Sequence, residues 1–535
     1  MSFGAGDYAW LFIAVVTLFV PGGLVLVAAG WRSRGRTTVG VAIAPLVSIA
    51  VCYVTAVVTG LLGWRYGIVA VGVTTVVLAA AALALRFVRR GSIRREAVRR
   101  RSGRPTPARW WVDVAAGVLL VAFAFGISVR TWARGTGGSL ATVPQEHDMI
   151  THTLLTAHIA KSGQAAPWKV LPDDLLSGTP SGFYPSGFHS VAALVADAGT
   201  DAVTAVNAMM LVVLALCMPL GLLALATQLR HVPRRYLVGG VAAVVGAMAY
   251  RPTYAMFHDG GILANDMAIS LAPAALAGIL VLRERASASA AAPVVAERSW
   301  WLDVALIGAV AVAAFAVHPT SAAIIGISVV AWFLGELVHP TQRKLFWRRL
   351  LKLAAGAVTA AVLAIPLLRG GGASVGSVAA WPRDLGVQPF PDAVGITLGM
   401  PYRGFLDFTN QHSQTLFAVL ALAGVVAMLL TRRGLALGVV WATWSALLVA
   451  FLVDWKGPGV ATVTGVFYNS YVRISGVLGS FQWLMVGIAV TTVAALVVRM
   501  AERLTSAVRR SKPATRRAPS PPWWLRWCSV SYWSS

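Results

Sequence analysis

Between Pro144 and His152 the chain gathers Glu146, His147, Asp148 and His152 inside an otherwise apolar sequence. Ionisable clusters beside a bilayer are costly to keep dry and mark chemistry or transport. A carboxylate that stays ionised can serve as a general base. Asp148 and His152 lie one helical turn apart and can pair or share a ligand. Residues 147–162 read as a short amphipathic helix: at about 100° per residue, His147, Asp148, Thr151, His152 and His158 share one arc. Met149, Ile150, Thr153, Leu154, Ala157 and Ala160 share the other, with Leu155 and Ile159 interrupting the polar side. Such a helix lies at the membrane surface, apolar face down. Asp148 then stands near its start, where the helix dipole favours the carboxylate. The bland alternative is that these residues are only the wet face of an interfacial helix. A zinc site needs ligands closing to a tetrahedron, for which this cluster alone is a weak signal.

Other polar residues fall in the same class of segment. Gly and Pro break up the run from Leu171 to His189, which carries Asp173 and Asp174 and then Tyr184 and His189. A structured loop with exposed aromatic residues suits a sugar or a lipid headgroup, although His189 leads into an apolar run and fits a core position equally. His258 and Asp259 sit in a short turn. Asp266 follows one turn into the next helix, where an unpaired charge costs about 2–3 kcal/mol, so it should face a cavity or a partner. His318 precedes Pro319 in another turn. Arg403 and Arg473 offer planar forks that match phosphate oxygens; headgroup snorkelling is the ordinary alternative for both.

The elements that position these residues follow from composition. The chain has 535 residues, 57% hydrophobic and 12% charged, with mean hydropathy +0.72. A soluble chain carries about 25% charged residues. The expected fold class is therefore all-α: a polytopic transmembrane helical bundle of about 13 spans by window reading. They lie near 8–30, 38–62, 67–88, 111–131, 202–229, 237–257, 262–282, 301–318, 320–338, 350–368, 414–430, 435–453 and 477–498. The net charge of +25 sits in short loops between spans, which points to membrane orientation rather than nucleic acid. Cys52 and Cys217 fall in spans and Cys528 in the tail, so no disulfide frame is expected. The start of the chain lacks a basic n-region, so its first apolar run reads as a retained span.

The arginine-rich loops after the first, third, fifth, seventh, ninth, eleventh and last spans all share one side, which the positive-inside rule makes cytoplasmic. The expected N-terminus is outside and the C-terminus cytoplasmic. The titratable residues then gather outside, in loops 132–200, 369–413 and 454–476 and in two short turns. The organisation reads as residues 1–109, three N-terminal helices with a basic loop; 110–500, the core; and 501–535, a basic, Pro- and Trp-rich tail.

The order of these motifs resembles the GT-C superfamily of integral-membrane glycosyltransferases. The matching pieces are Glu146-His147-Asp148, the helix that follows, and Phe183-Tyr184-Pro185-Ser186-Gly187-Phe188-His189. The later Gly465-to-Ile474 run is similar to an aromatic and arginine segment of actinobacterial members. Here the acidic motif follows the fourth span, so three helices precede the core. The resemblance implies a GT-C-like bundle with a large extracytoplasmic catalytic first loop. It also implies a plasma-membrane enzyme that moves a sugar, arabinose or mannose, from a polyprenyl-phosphate donor to an envelope glycan, lipid or protein acceptor. Asp148 would be the base, with Glu146 as second choice, and Arg473 the phosphate ligand, with Arg403 as rival. His147, His152, Tyr184, His189, His258, Asp259, Asp266 and His318 would bind substrate. No cofactor is implied with certainty; a divalent cation, Mg or Mn, on Asp148, Glu146, Asp173 or Asp174 stays open. The competing readings are a multi-pass transporter or lipid-linked-saccharide flippase, and an O-antigen-type polymerase or ligase.

Overall fold

The computed structural model describes residues 2–31, 37–90, 110–144, 146–171, 183–229, 231–258, 260–284, 293–338, 343, 345–368, 381–404 and 407–511. Every one of the expected apolar runs is helical. The first four form α1 (Ala5–Ala28), α2 (Thr37–Leu62), α3 (Ile68–Arg90) and α4 (Trp110–Gly135). Two helices follow inside the segment expected as a loop, α5 (Met149–Ser162) and α6 (Gly187–Asp197). The fifth run is α7 (Ala202–Val212), which passes through a π turn at Val213–Cys217 into α8 (Met218–Ala226). Then come α9 (Arg235–Met248), the short α10 (Ala255–His258), α11 (Leu263–Glu284), α12 (Pro293–Val317), α13 (Thr320–Glu336) and α14 (Phe346–Leu363). The last group is α15 (Phe390–Gly399), α16 (Thr415–Thr431), α17 (Leu435–Leu452), α18 (Val460–Val466) and α19 (Tyr471–Ser511). A two-stranded antiparallel ribbon, β1 (Tyr402–Gly404) and β2 (Asp407–His412), is the only sheet among the described residues.

The molecule is thus a polytopic helical membrane bundle. Among the described residues, nine helices are long and apolar enough to cross a bilayer, and α9, α13 and α16 are shorter apolar helices. The axis of the bundle is the 22-residue α11, buried from Leu263 to Arg283. At 1.5 Å per residue it is roughly 30 Å long, the thickness of a hydrocarbon core. Exposed tryptophans mark two levels: Trp64, Trp381 and Trp455 near the end where α11 begins, and Trp110, Trp111, Trp301 and Trp347 near the end where it stops. Such belts mark the two membrane–water boundaries.

The two ends of α11 hold different polar chemistry. Where it stops, Arg283 meets Glu336 at 2.5 Å, Arg349 meets Glu336 at 3.2 Å and Glu284 at 3.4 Å, and Lys352 meets Asp303 at 2.6 Å. Each of these buried cations has a carboxylate, as burial of charge requires. Where α11 begins, the other group of polar residues collects.

One departure from expectation concerns α6. Turn-forming residues point to a structured loop from Leu171 to His189, yet α6 already begins at Gly187 and Gly187 to Val195 are all buried. Small residues allow this. A Cβ at Gly187 would come within 2.6 Å of the Ala316 backbone, so glycine lets α6 lie against the end of α12.

Candidate functional site

α5 is held at both ends. At its start the Asp148 N–H donates to the Gly260 carbonyl at 2.9 Å, and the Glu146 carboxylate accepts from the Gly260 N–H at 3.1 Å. Gly261 has φ +66° and lies against Met149 and Glu146, where a Cβ would come within 2.9 Å of both side chains. At its far end Gly163 closes the helix in the left-handed region, and Arg65 donates to the Ala160 and Lys161 carbonyls.

The faces of α5 differ from the helical-wheel reading. His152 is buried together with Met149, Leu155, Thr156 and Ile159, while Ile150, Thr151 and Leu154 are exposed. The reason is a partner: His152 Nδ1 lies 2.9 Å from His189 Nε2, and the two rings stack with centroids 5.1 Å apart. A hydrogen-bonded imidazole can be buried where a lone one resists it. Burial pushes His152 down to about 4, with Asp148 opposing and Arg473 adding to the shift. Burial, helped by His152, holds His189 well below the ordinary histidine range.

Tyr184 meets the His189 ring edge-on at 5.3 Å, and burial raises its hydroxyl well above the ordinary value. His318 enters from the α12–α13 turn. Its Nδ1 lies 3.1 Å from Asn265 Nδ2 and 2.9 Å from Thr320 Oγ1, and it accepts the Thr320 backbone N–H at 3.3 Å. Burial, with the charge of Arg473 next, holds His318 well below the ordinary range. The Tyr468 ring meets both His318, at 5.9 Å, and the guanidinium of Arg473, whose carbon stands 3.8 Å from the ring centre. Arg473 is 8% exposed. It has no carboxylate within 4.0 Å among the described residues, and its Nη1 is buried with no acceptor.

Asp148 is the acid of the site. Its carboxylate pairs with the exposed His147 at 2.5 Å instead of capping α5, and its charge reaches His152, Tyr184 and Arg473. Residues far apart in sequence therefore converge: Asp148, His152, Tyr184, His189, His318 and Arg473. Glu146 instead holds the Gly260 turn. Asp266 makes none of these contacts. It is wholly buried, its Oδ1 lies 3.5 Å from Ser270 and its Oδ2 has no hydrogen-bond partner. The preceding residue, Asn265, meets His318, because one position turns a helix face by about 100°. Asp259, Asp173 and Asp174 lie outside the described residues, as do the side chains of His258 and Arg403.

The sequence reading takes in Tyr468 only within the Gly465-to-Ile474 run, assigns no role to Asn265 or Thr320, and passes over the Arg383-Asp384 pair. Arg383 donates to the Phe451 carbonyl at the end of α17 and pairs with Asp454 at 3.0 Å. Asp384 takes the Tyr471 N–H at 2.7 Å and the Ser470 hydroxyl at 2.6 Å at the start of α19. Each charge complements the helix end it meets. The clasp fixes the turn at Tyr468 and Asn469, both in the left-handed region, and so orients Arg473. The sequence signal was an adjacent Arg and Asp of opposite sign. Asp384→Ala should lower stability by about 1 kcal/mol, as for a lost helix cap, read by thermal unfolding in detergent. An unchanged midpoint would show that Ser470 closes the helix end alone.

A family model matches residues 15–528. The chain belongs to the DUF6541 family, a family of unknown function. The match takes in α2 to α19, and with them every residue of the convergent cluster. No curated protein and no solved structure matches the chain. Among the described residues, no group of three or more His, Cys, Asp or Glu is arranged to hold a metal ion.

Proposed function

We propose that this DUF6541 member is a membrane glycosyltransferase that moves a sugar from a polyprenyl-phosphate donor to a hydroxyl of an envelope glycan, lipid or protein, on the extracytoplasmic face of the plasma membrane. The observation that carries the reading is Arg473, a buried cation with a spare donor, in one cluster with the carboxylate Asp148. The transfer needs those two groups. Asp148 takes the acceptor proton as the acceptor oxygen bonds to the anomeric carbon. The bond from that carbon to the phosphate oxygen breaks, and its electron pair leaves with the phosphate, steadied by Arg473. Tyr184 and the neutral imidazoles supply a polar wall that adds no charge.

The basic residues support this side of the membrane. Arg235, Arg283, Arg343, Arg349 and Arg433 belong to the end opposite the cluster, which supports a cytoplasmic placement for that end. Arabinose or mannose is proposed as the sugar from the GT-C resemblance. Two measurements test the reading. Ile150 is exposed beside Asp148, and Cys52 and Cys217 are buried. In intact cells an Ile150→Cys variant on a Cys528→Ser background should therefore react with a membrane-impermeant maleimide, and labelling only after lysis would place the site in the cytosol. Membranes holding the wild-type chain should transfer label from polyprenyl-phosphate arabinose or mannose to an endogenous acceptor. No transfer from either donor would favour the transport reading.

A further inference from the structure

We propose that this site accepts a singly charged phosphodiester and disfavours a doubly charged phosphomonoester, because among the described residues its one fixed cation, Arg473, is accompanied by a neutral imidazole, His318, and not by a second cation. The inference rests on the phosphate-carrier reading above and adds the charge state that the site selects.

The tautomer of His318 is fixed by geometry. A backbone N–H can only donate, and the Thr320 N–H points at Nδ1 from 3.3 Å. Nδ1 therefore keeps its lone pair, and the Asn265 amide at 3.1 Å supplies a second donor to the same atom. The imidazole proton then sits on Nε2, which no described residue meets. His318 and Arg473 pack against the same Tyr468 ring. Arg473 Nη1 is a buried donor without an acceptor, and its charge acts on the His318 imidazole. A buried donor without an acceptor costs about 1–3 kcal/mol, which an anionic oxygen would relieve.

The charge balance sets what can enter. Facing this site are Asp148 and His152 from the α5 end, Tyr184 and His189 from α6, His318 from the α12–α13 turn, and Tyr468 and Arg473 from the start of α19. His152 and His189 share a hydrogen bond, so at least one of the two nitrogens bears a lone pair. Among the described residues facing the site, one positive and one negative group remain, Arg473 and Asp148. A single added negative charge meets the Arg473 fork and a neutral N–H. A second one finds no cation and faces Asp148, and in a poorly solvated site such a charge is strongly disfavoured. The donor of the proposed reaction is a phosphodiester. Its product is a phosphomonoester, which loses its second proton near pH 6. The site would thus hold the donor and release the spent carrier at neutral pH.

The test uses the purified full chain in nanodiscs with two soluble probes, monobutyl phosphate and dibutyl phosphate, titrated calorimetrically at pH 5.5 and pH 8. Monobutyl phosphate is expected to bind about tenfold or more weakly at pH 8 than at pH 5.5. Dibutyl phosphate, whose charge is constant, should change by no more than about twofold. A parallel His147→Gln variant removes the exposed imidazole beside Asp148 and should keep the same contrast. His318→Lys supplies the missing cation and should reverse the preference at pH 8. Monobutyl phosphate binding as tightly at pH 8 as at pH 5.5 would overturn the charge-state inference alone, provided Arg473→Gln still abolishes binding. If neither probe binds, or if Arg473→Gln leaves binding unchanged, the phosphate reading falls with it.

Discussion

Arg473→Gln is expected to cut sugar transfer by about 10²–10³-fold, the usual effect of removing one donor aimed at developing negative charge. The loss should appear mainly in kcat, because the phosphate gains charge as the sugar departs and the guanidinium meets that charge most strongly in the transition state. Arg473→Lys keeps the charge but loses the fork and the flat contact with Tyr468 at 3.8 Å. It should recover only part of the rate. Arg403 is the control, since the sequence offers it as a rival phosphate ligand. The measurement is initial transfer in membranes, at expression levels matched by detergent gel filtration. An Arg473→Gln variant with more than about a third of wild-type activity would remove Arg473 from the chemistry.

The two ends of α11 explain why this arginine is singled out. Arg283, Arg349 and Lys352 are as deeply buried, and each has a carboxylate within reach. Those charges bind α11, α12, α13 and α14 together and leave no net attraction for a ligand. Arg473 has no such carboxylate among the described residues. It is held by an aromatic face and by the clasp at the start of α19. Burying a cation with no carboxylate in contact is unfavourable, which supports the proposed anionic ligand.

Hydropathy made the helices legible. Runs of about 20 apolar residues must be helical in lipid, and all the expected runs are helices. It also gathered most of the candidate residues into segments that meet at one end of the bundle. What it did not reveal has one physical cause. Periodicity within a helix reports how polar a face is, not which partner awaits it. His152 lay on the polar arc of α5 and proved buried, because His189 supplies a hydrogen bond from 37 positions away. Asp266 is the ionisable residue at the start of α11, yet Asn265 carries the contact, with a partner 53 positions on. Asp384 reaches across 87 positions to Tyr471. α6 was hidden for a related reason: the Gly and Pro before it mark a turn, but only Gly187 against Ala316 shows that the turn leads inward.

Asp148→Asn should lower transfer by about 10²–10⁴-fold, the usual contribution of a positioned base. Asparagine keeps the size and the helix-start position of the aspartate, so α5 should keep its fold and KM should change little. What it loses is the capacity to take a proton. The structure separates this acid from its neighbour in sequence. Asp148 turns its carboxylate toward His147 and acts electrostatically on His152, Tyr184 and Arg473, whereas Glu146 accepts the Gly260 N–H. A glutamine at 146 keeps an oxygen for that bond, so Glu146→Gln should leave the rate within about threefold of wild type. The pair of variants therefore decides between the two acids. A large loss for Glu146→Gln with full activity for Asp148→Asn would move the base two residues upstream. Full activity in both would leave the acceptor proton without a protein base in this loop, and the glycosyltransferase reading would lose its mechanism.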